Sequence, residues 1–143
     1  MKTLKQVIDT KNIKELLTIS PNQKVFEALI VMAEYKIGAL LVTDKEKMVG
    51  IVSERDYARE IILQKKSSKE TLVKEIMTKK VLFLDPSDSF EKGLEIMTEK
   101  KVRHIPILKG NKIIGMVSQG DLVKEMISHQ KDLISQLEIF IQN

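Results

Sequence analysis

Residues 21–63 recur as residues 86–128 at a constant offset of 65 and without a gap. A chain built this way folds as two like units that bury their apolar faces together, because one such unit is too small to close a core alone. Twelve positions are identical, among them Pro21/Pro86, Met32/Met97, Lys36/Lys101, Gly50/Gly115, Val52/Val117, Ser53/Ser118, Asp56/Asp121 and Glu60/Glu125. Many of the other pairs exchange one apolar residue for another. The organisation expected is one module over 1–143, with a first repeat at 12–66, a second at 76–128 and a C-terminal helical extension at 129–143.

Within each copy the hydrophobic period changes in the same order. Val25, Ala28, Leu29, Met32 and Ala33 mark an amphipathic helix, as do Phe90, Gly93, Leu94 and Met97. Two strand pairs follow, Ala39 to Val42 with Met48 to Val52 and His104 to Leu108 with Ile113 to Val117, the second pair joined at Gly110-Asn111. Helical spacing returns with Tyr57, Ala58, Ile61 and Ile62, and with Leu122, Val123, Met126 and Ile127. Short strands at Leu16 to Ile19 and Val81 to Leu84 precede the copies. The fold class is therefore α/β (α+β): two pseudo-symmetric strand-helix-strand-strand-helix repeats packed through their sheets about a pseudo-two-fold axis.

Composition removes several classes of function. With 43% hydrophobic and 31% charged residues the chain is neither disordered nor collagen-like. No apolar run approaches the ~20 residues of a bilayer span, and Met1 to Gln6 lacks the apolar stretch of a secretory signal, so a cytoplasmic location is expected. The absence of Cys removes disulfides, thiolate nucleophiles and Cys-built metal sites, and two His argue against other metal chemistry. The net charge of +4 is spread along the chain and aromatic residues make up 4%, which argues against a nucleic-acid partner.

Both copies leave a strand and enter a helix through one motif, Gly50-Ile51-Val52-Ser53-Glu54-Arg55-Asp56 and Gly115-Met116-Val117-Ser118-Gln119-Gly120-Asp121. Ser-x-x-Asp is close to a capping box, in which hydroxyl and acid satisfy the first free N–H groups of the helix. The same groups suit a nucleotide: the helix N-terminus attracts phosphate, and an acid one turn in accepts from ribose hydroxyls. Spacing alone leaves both readings open, with capping the simpler. Arg103-His104 adds two phosphate donors where the first copy has the small Gly38-Ala39. Small residues let a planar base approach the backbone, whereas basic ones suit phosphate.

These residues resemble the tandem cystathionine β-synthase domain pair, the CBS pair or Bateman module, over nearly the whole chain. The resemblance rests on the two Gly-h-h-Ser-x-x-Asp segments (h apolar) and on Ile37 to Val42 and Val102 to Ile107. It implies a regulatory module that binds an adenosine-containing ligand in a cleft between two CBS repeats, without turnover and without a required cofactor. AMP is the first choice, with ADP, ATP, NAD or S-adenosylmethionine as other candidates. By this resemblance each cleft draws on both repeats. The first-ranked cleft takes Ser20, Ile37, Gly38 and Ala39 around the base, Met116 against it, Asp121 on the ribose, and Ser118, Arg103 and His104 on phosphate. The second takes Asp85, Val102, Ile51, Ser53, Arg55 and Asp56, with bulky Arg103 at the base-holding position that Gly38 fills in the first.

The tail continues helically from Leu122 to Ile141, with Met126, Ile127, Gln130, Leu133, Ile134, Leu137, Phe140 and Ile141 on one broad stripe. It either folds back on its own module or meets a second chain; pairing within the resembled family favours the second, a homodimer. The alternative function is a ligand-free interaction module that dimerises and docks on an effector protein. An enzyme finds no support, since Ser53 and Ser118 fall at helix caps without a Gly-x-Ser-x-Gly elbow, and the Walker and Gly-x-Gly-x-x-Gly patterns are missing.

Overall fold

The computed structural model of the chain describes residues 2–11 and 16–142; the boundary expected at Asn12, and the terminal Met1 and Asn143, lie outside the described residues. In chain order the elements are α1 (Leu4–Asp9), β1 (Thr18–Ile19), α2 (Val25–Tyr35), β2 (Ala39–Asp44), β3 (Lys47–Ser53), α3 (Glu54–Tyr57), α4 (Val73–Ile76), α5 (Phe90–Lys100), β4 (His104–Lys109), β5 (Lys112–Ser118) and α6 (Gln119–Gln142). Contacts divide them into two compact units. One comprises Met1–Lys14, Phe83–Gly110 and Ile114–Asn143, the other Glu15–Leu82 and Asn111–Ile113.

The unit of the first repeat centres on the sheet β1-β2-β3. Parallel pairing sets Thr18 opposite Leu41, and antiparallel pairing sets Ala39 opposite Ser53. Its core gathers Ile19, Val25, Ala28, Met32, Leu40, Val42, Val52, Ile61, Val73 and Ile76. The second unit holds the pair β4-β5 and a core of Leu4, Val7, Leu84, Phe90, Met97, Ile105, Ile107, Val117 and Leu122. The cores match at the repeat offset, Ile19 with Leu84, Met32 with Met97 and Val52 with Val117. Their helices also end alike: Lys36 and Lys101 turn left-handed at φ 54° and 56°, and their N–H groups close on Met32 and Met97 carbonyls.

Three expectations change in detail. The strand expected at Val81 to Leu84 shrinks to a single parallel bridge between Leu84 and Ile107, with the Leu84 N–H on Pro106 O at 3.1 Å and the Leu108 N–H on Leu84 O at 2.9 Å. The next donor the ladder needs, toward Leu82, is the backbone nitrogen of Pro106, which carries no hydrogen. After Ser53 the helix leaves α-winding for a π-helical turn at Ala58–Ile62. That turn buries Ile61 and leaves Ala58 and Ile62 exposed, so only part of the expected apolar face meets the core. In α6 only Leu122 is buried, and Val123, Met126 and Ile127 are exposed.

Each core is completed by a short helix outside its repeat. Leu4 and Val7 of α1, which precedes the first repeat, enter the core of the second, while Val73 and Ile76 of α4 enter the core of the first. Buried side chains of this size contribute about 1.5–3 kcal/mol each. The glycines shared by the repeats lie where these helices cross the sheet. A Cβ on Gly50 would stand 2.7 Å from Met77 Sδ and 2.9 Å from the Thr78 carbonyl, whereas one on Gly115 would stand 3.1 Å from Ile8 Cδ1. The first clash is partly with backbone, the second only with a flexible side chain. Gly50→Ala should therefore destabilise by about 1–3 kcal/mol and Gly115→Ala by less, measured by urea unfolding. Equal losses would mean that the two crossings are equally tight.

Candidate functional site

Both strand-to-helix junctions adopt the capping geometry. Ser53 is extended, its Oγ accepts the Asp56 N–H at 3.1 Å, and Asp56 Oδ2 accepts the Ser53 N–H at 2.9 Å and its hydroxyl at 3.0 Å. Likewise Asp121 Oδ2 accepts the Ser118 N–H at 2.8 Å, and Ser118 Oγ accepts the Asp121 N–H at 3.1 Å. Capping uses one carboxylate oxygen of each acid. The other, Oδ1, meets the Thr78 hydroxyl at 3.4 Å in Asp56 and takes no hydrogen bond among the described residues in Asp121. A capping acid thus retains an acceptor for a second partner.

A residue the sequence reading passed over stands at the Asp121 junction. Lys11 Nζ lies 2.9 Å from Asp121 Oδ2 and donates to the Met116 carbonyl at 2.9 Å. A signal for it exists in the chain: Leu4-Lys5-Gln6-Val7-Ile8 matches Val73-Lys74-Glu75-Ile76-Met77 at an offset of 69. Nine residues separate Lys11 from Pro21 but five separate Lys80 from Pro86, so a gapless comparison at 65 misses the pair. Among the described residues Asp56 makes no ion pair.

The remaining expected site residues fall into two groups. Arg103 and His104 sit beside Ser118, since the Gln119 N–H donates to the Arg103 carbonyl at 2.8 Å; with Met116, Ser118 and Asp121 they belong to one unit. Arg103 is exposed and His104 half-buried. Ile37, Gly38 and Ala39 sit beside Ser53 in the other unit, where the Glu54 N–H donates to the Gly38 carbonyl at 3.0 Å. Ile51 exchanges backbone hydrogen bonds with Thr78, and Arg55 is exposed. Val102 ends the turn after α5, its N–H on the Met97 carbonyl at 3.1 Å. Ser20 and Asp85 shape equivalent turns around Pro21 and Pro86. Ser20 Oγ accepts the Asn22 N–H at 3.3 Å, and Asp85 Oδ1 accepts the Ser87 N–H at 2.9 Å and its hydroxyl at 2.7 Å.

Those bonds from Ser87, hydroxyl first, hold the Asp85 carboxyl below its ordinary value of 3.8, with a smaller pull from Lys109 and Lys92. A folded value below the unfolded one means that this carboxylate stabilises the fold above about pH 4, a contribution lost as pH falls through the folded value. Ser87→Ala should raise the Asp85 pKa toward the ordinary value, read from its carboxyl 13C shift against pH. An unchanged titration would contradict the assigned cause. No group of three or more His, Cys, Asp or Glu among the described residues is arranged to hold a metal, and no described helix is long and apolar enough to cross a membrane.

The CBS domain matches twice, over residues 5–63 and 73–128. The chain belongs to the CBS-domain family. It is 35% identical over 131 residues to the CBS domain-containing protein CBSX3, mitochondrial, of Arabidopsis thaliana, covering 88% of this chain and 64% of that protein. This CBS pair thus spans about two thirds of that relative's length. Its fold is similar to a solved structure of a CBS-domain protein from Burkholderia ambifaria MC40-6, with TM-score 0.86 and 46% identity over 90% of this chain and 96% of that one. It also shares its fold with CBSX2 solved in complex with AMP, at TM-score 0.73 and 24% identity over 91% of this chain and 99% of that one.

Proposed function

We propose that this CBS pair is a regulatory module that binds an adenosine-containing nucleotide, AMP first, and turns over no substrate. The observation that carries the reading is the duplicated junction: a helix start with a capping hydroxyl and an acid whose second oxygen remains available, accompanied in the second repeat by Arg103 and His104. The AMP complex of CBSX2, a protein of the same fold, supports the ligand class. In this reading Asp121 accepts from the ribose and Ser118, Arg103 and His104 receive phosphate. Ser20, Ile37, Gly38 and Ala39 of the other repeat surround the base and Met116 packs on it. The second cleft uses Asp85, Val102, Ile51, Ser53, Arg55 and Asp56. Occupancy then acts by differential affinity for two arrangements of the module. The reading assigns the protein to the cytoplasm, where adenine nucleotides are plentiful, with an effector protein downstream.

Isothermal titration with AMP, ATP, NAD and S-adenosylmethionine tests the ligand class. At least one should bind, and Asp121→Ala should weaken it by roughly 10- to 100-fold, the worth of charge-assisted hydrogen bonds, with a smaller effect from Asp56→Ala. No heat with any of the four would overturn the reading. It would favour the second one, a ligand-free interaction module, to which the closed capping boxes and the Lys11 contact lend support.

We also propose a homodimer. Along α6 the side chains of Leu133, Ile134, Leu137, Ile139, Phe140 and Ile141 are 46–80% exposed, so they do not fold back onto their own unit. Met126, Gln130, Leu133, Leu137 and Phe140 recur at alternating spacings of four and three, a seam that a second copy of the same helix complements. The intact chain should sediment as a dimer at micromolar concentration, and a chain ending at Ser128 should shift toward monomer. A 16 kDa species alone for the intact chain would refute the pairing.

A further inference from the structure

We infer that Lys11 sets the charge selectivity of the Asp121 site, excluding neutral adenosine compounds and admitting those that carry phosphate. The inference rests on the nucleotide reading of that site. In the structure the acid assigned to the ribose already holds a partner: the Lys11 ammonium lies 2.9 Å from Asp121 Oδ2 and 2.9 Å from the Met116 carbonyl. Both side chains are largely shielded, with 28% of Lys11 and 25% of Asp121 exposed, so water compensates the ammonium poorly once it leaves the carboxylate.

The backbone beneath Lys11 is fixed. Thr3 caps α1, Leu4 and Val7 are buried in the core, the Thr10 hydroxyl bonds the Val7 carbonyl at 2.8 Å, and the Lys11 N–H bonds the Ile8 carbonyl at 3.1 Å. What can move is the four-carbon stem, which lets the ammonium change partner while the arm stays docked. With the ammonium on Oδ2 the charge of the acid is partly neutralised, so Oδ1, the oxygen left for a ribose, accepts weakly until the ammonium is drawn away. A neutral nucleoside offers it nothing in return, whereas a nucleotide brings a phosphate for it to pair with. At the other junction the group facing the acid is the neutral Thr78 hydroxyl, 3.4 Å from Asp56 Oδ1, so the same discrimination is absent there.

The test is titration of adenosine and of AMP into the wild-type chain, Lys11→Met and Lys11→Arg, each first shown folded by its melting curve. The wild type should prefer AMP. Lys11→Met should bind adenosine more tightly and lower the AMP-to-adenosine affinity ratio by about fivefold or more, and Lys11→Arg should preserve the ratio. The wild-type preference should also shrink as salt rises. A ratio unchanged in Lys11→Met, or equal weakening of both ligands, would overturn the role of Lys11 and leave the nucleotide reading standing. If neither ligand binds the wild type or Lys11→Met, the nucleotide reading falls and this inference with it.

Discussion

Neither core closes without an element borrowed from outside its own repeat. Leu4 and Val7 fill the second repeat's core, and Val73 and Ile76 fill the first's. A sheet of two or three short strands buries too little apolar surface to stand by itself, so a docked helix on its face is a condition of stability. The close approach at each crossing favours a glycine beneath it, strictly at Gly50, where backbone stands in the way, and less so at Gly115, where only the Ile8 side chain does. It also brings the end of the first arm, at Lys11, to the very junction where Ser118 and Asp121 start α6.

That junction combines two jobs that need not compete. A capped helix start requires one carboxylate oxygen and one hydroxyl lone pair, both supplied within four residues. The acid is left with a second acceptor, and the geometry that secures the helix holds that acceptor rigidly. The two repeats surround their acids differently. In the first the surplus oxygen of Asp56 faces a neutral hydroxyl, whereas in the second the capping oxygen of Asp121 is engaged by a cation on a pinned backbone. Divergence after duplication has therefore altered the electrostatics around the acids while preserving the cap itself.

Much of this was legible in the chain. The exact register of the repeat carried the paired cores, and the Ser-x-x-Asp spacing carried both caps, because capping depends only on residues three apart. The failures share a cause. Val81 to Leu84 has a strand's composition, but its pairing is limited by Pro106 on another element. Ala58 and Ile62 have a helical period, yet the chain winds as a π-turn that rotates them away from the core. The arm helices were overlooked because they repeat at an offset of 69 rather than 65, and Lys11 went with them.

Periodicity, turn residues and caps act over a few positions, so the sequence by itself determined α2, α5 and the start of α6, the two hairpins, and the acids that begin α3 and α6. Which helix completes which core, and which cation meets which acid, depend on contacts between residues far apart in the chain. Lys11 and Asp121 are 110 positions apart, and no local preference relates them. Only packing α1 across β5, with Ile8 over Gly115, brings that ammonium to that carboxylate.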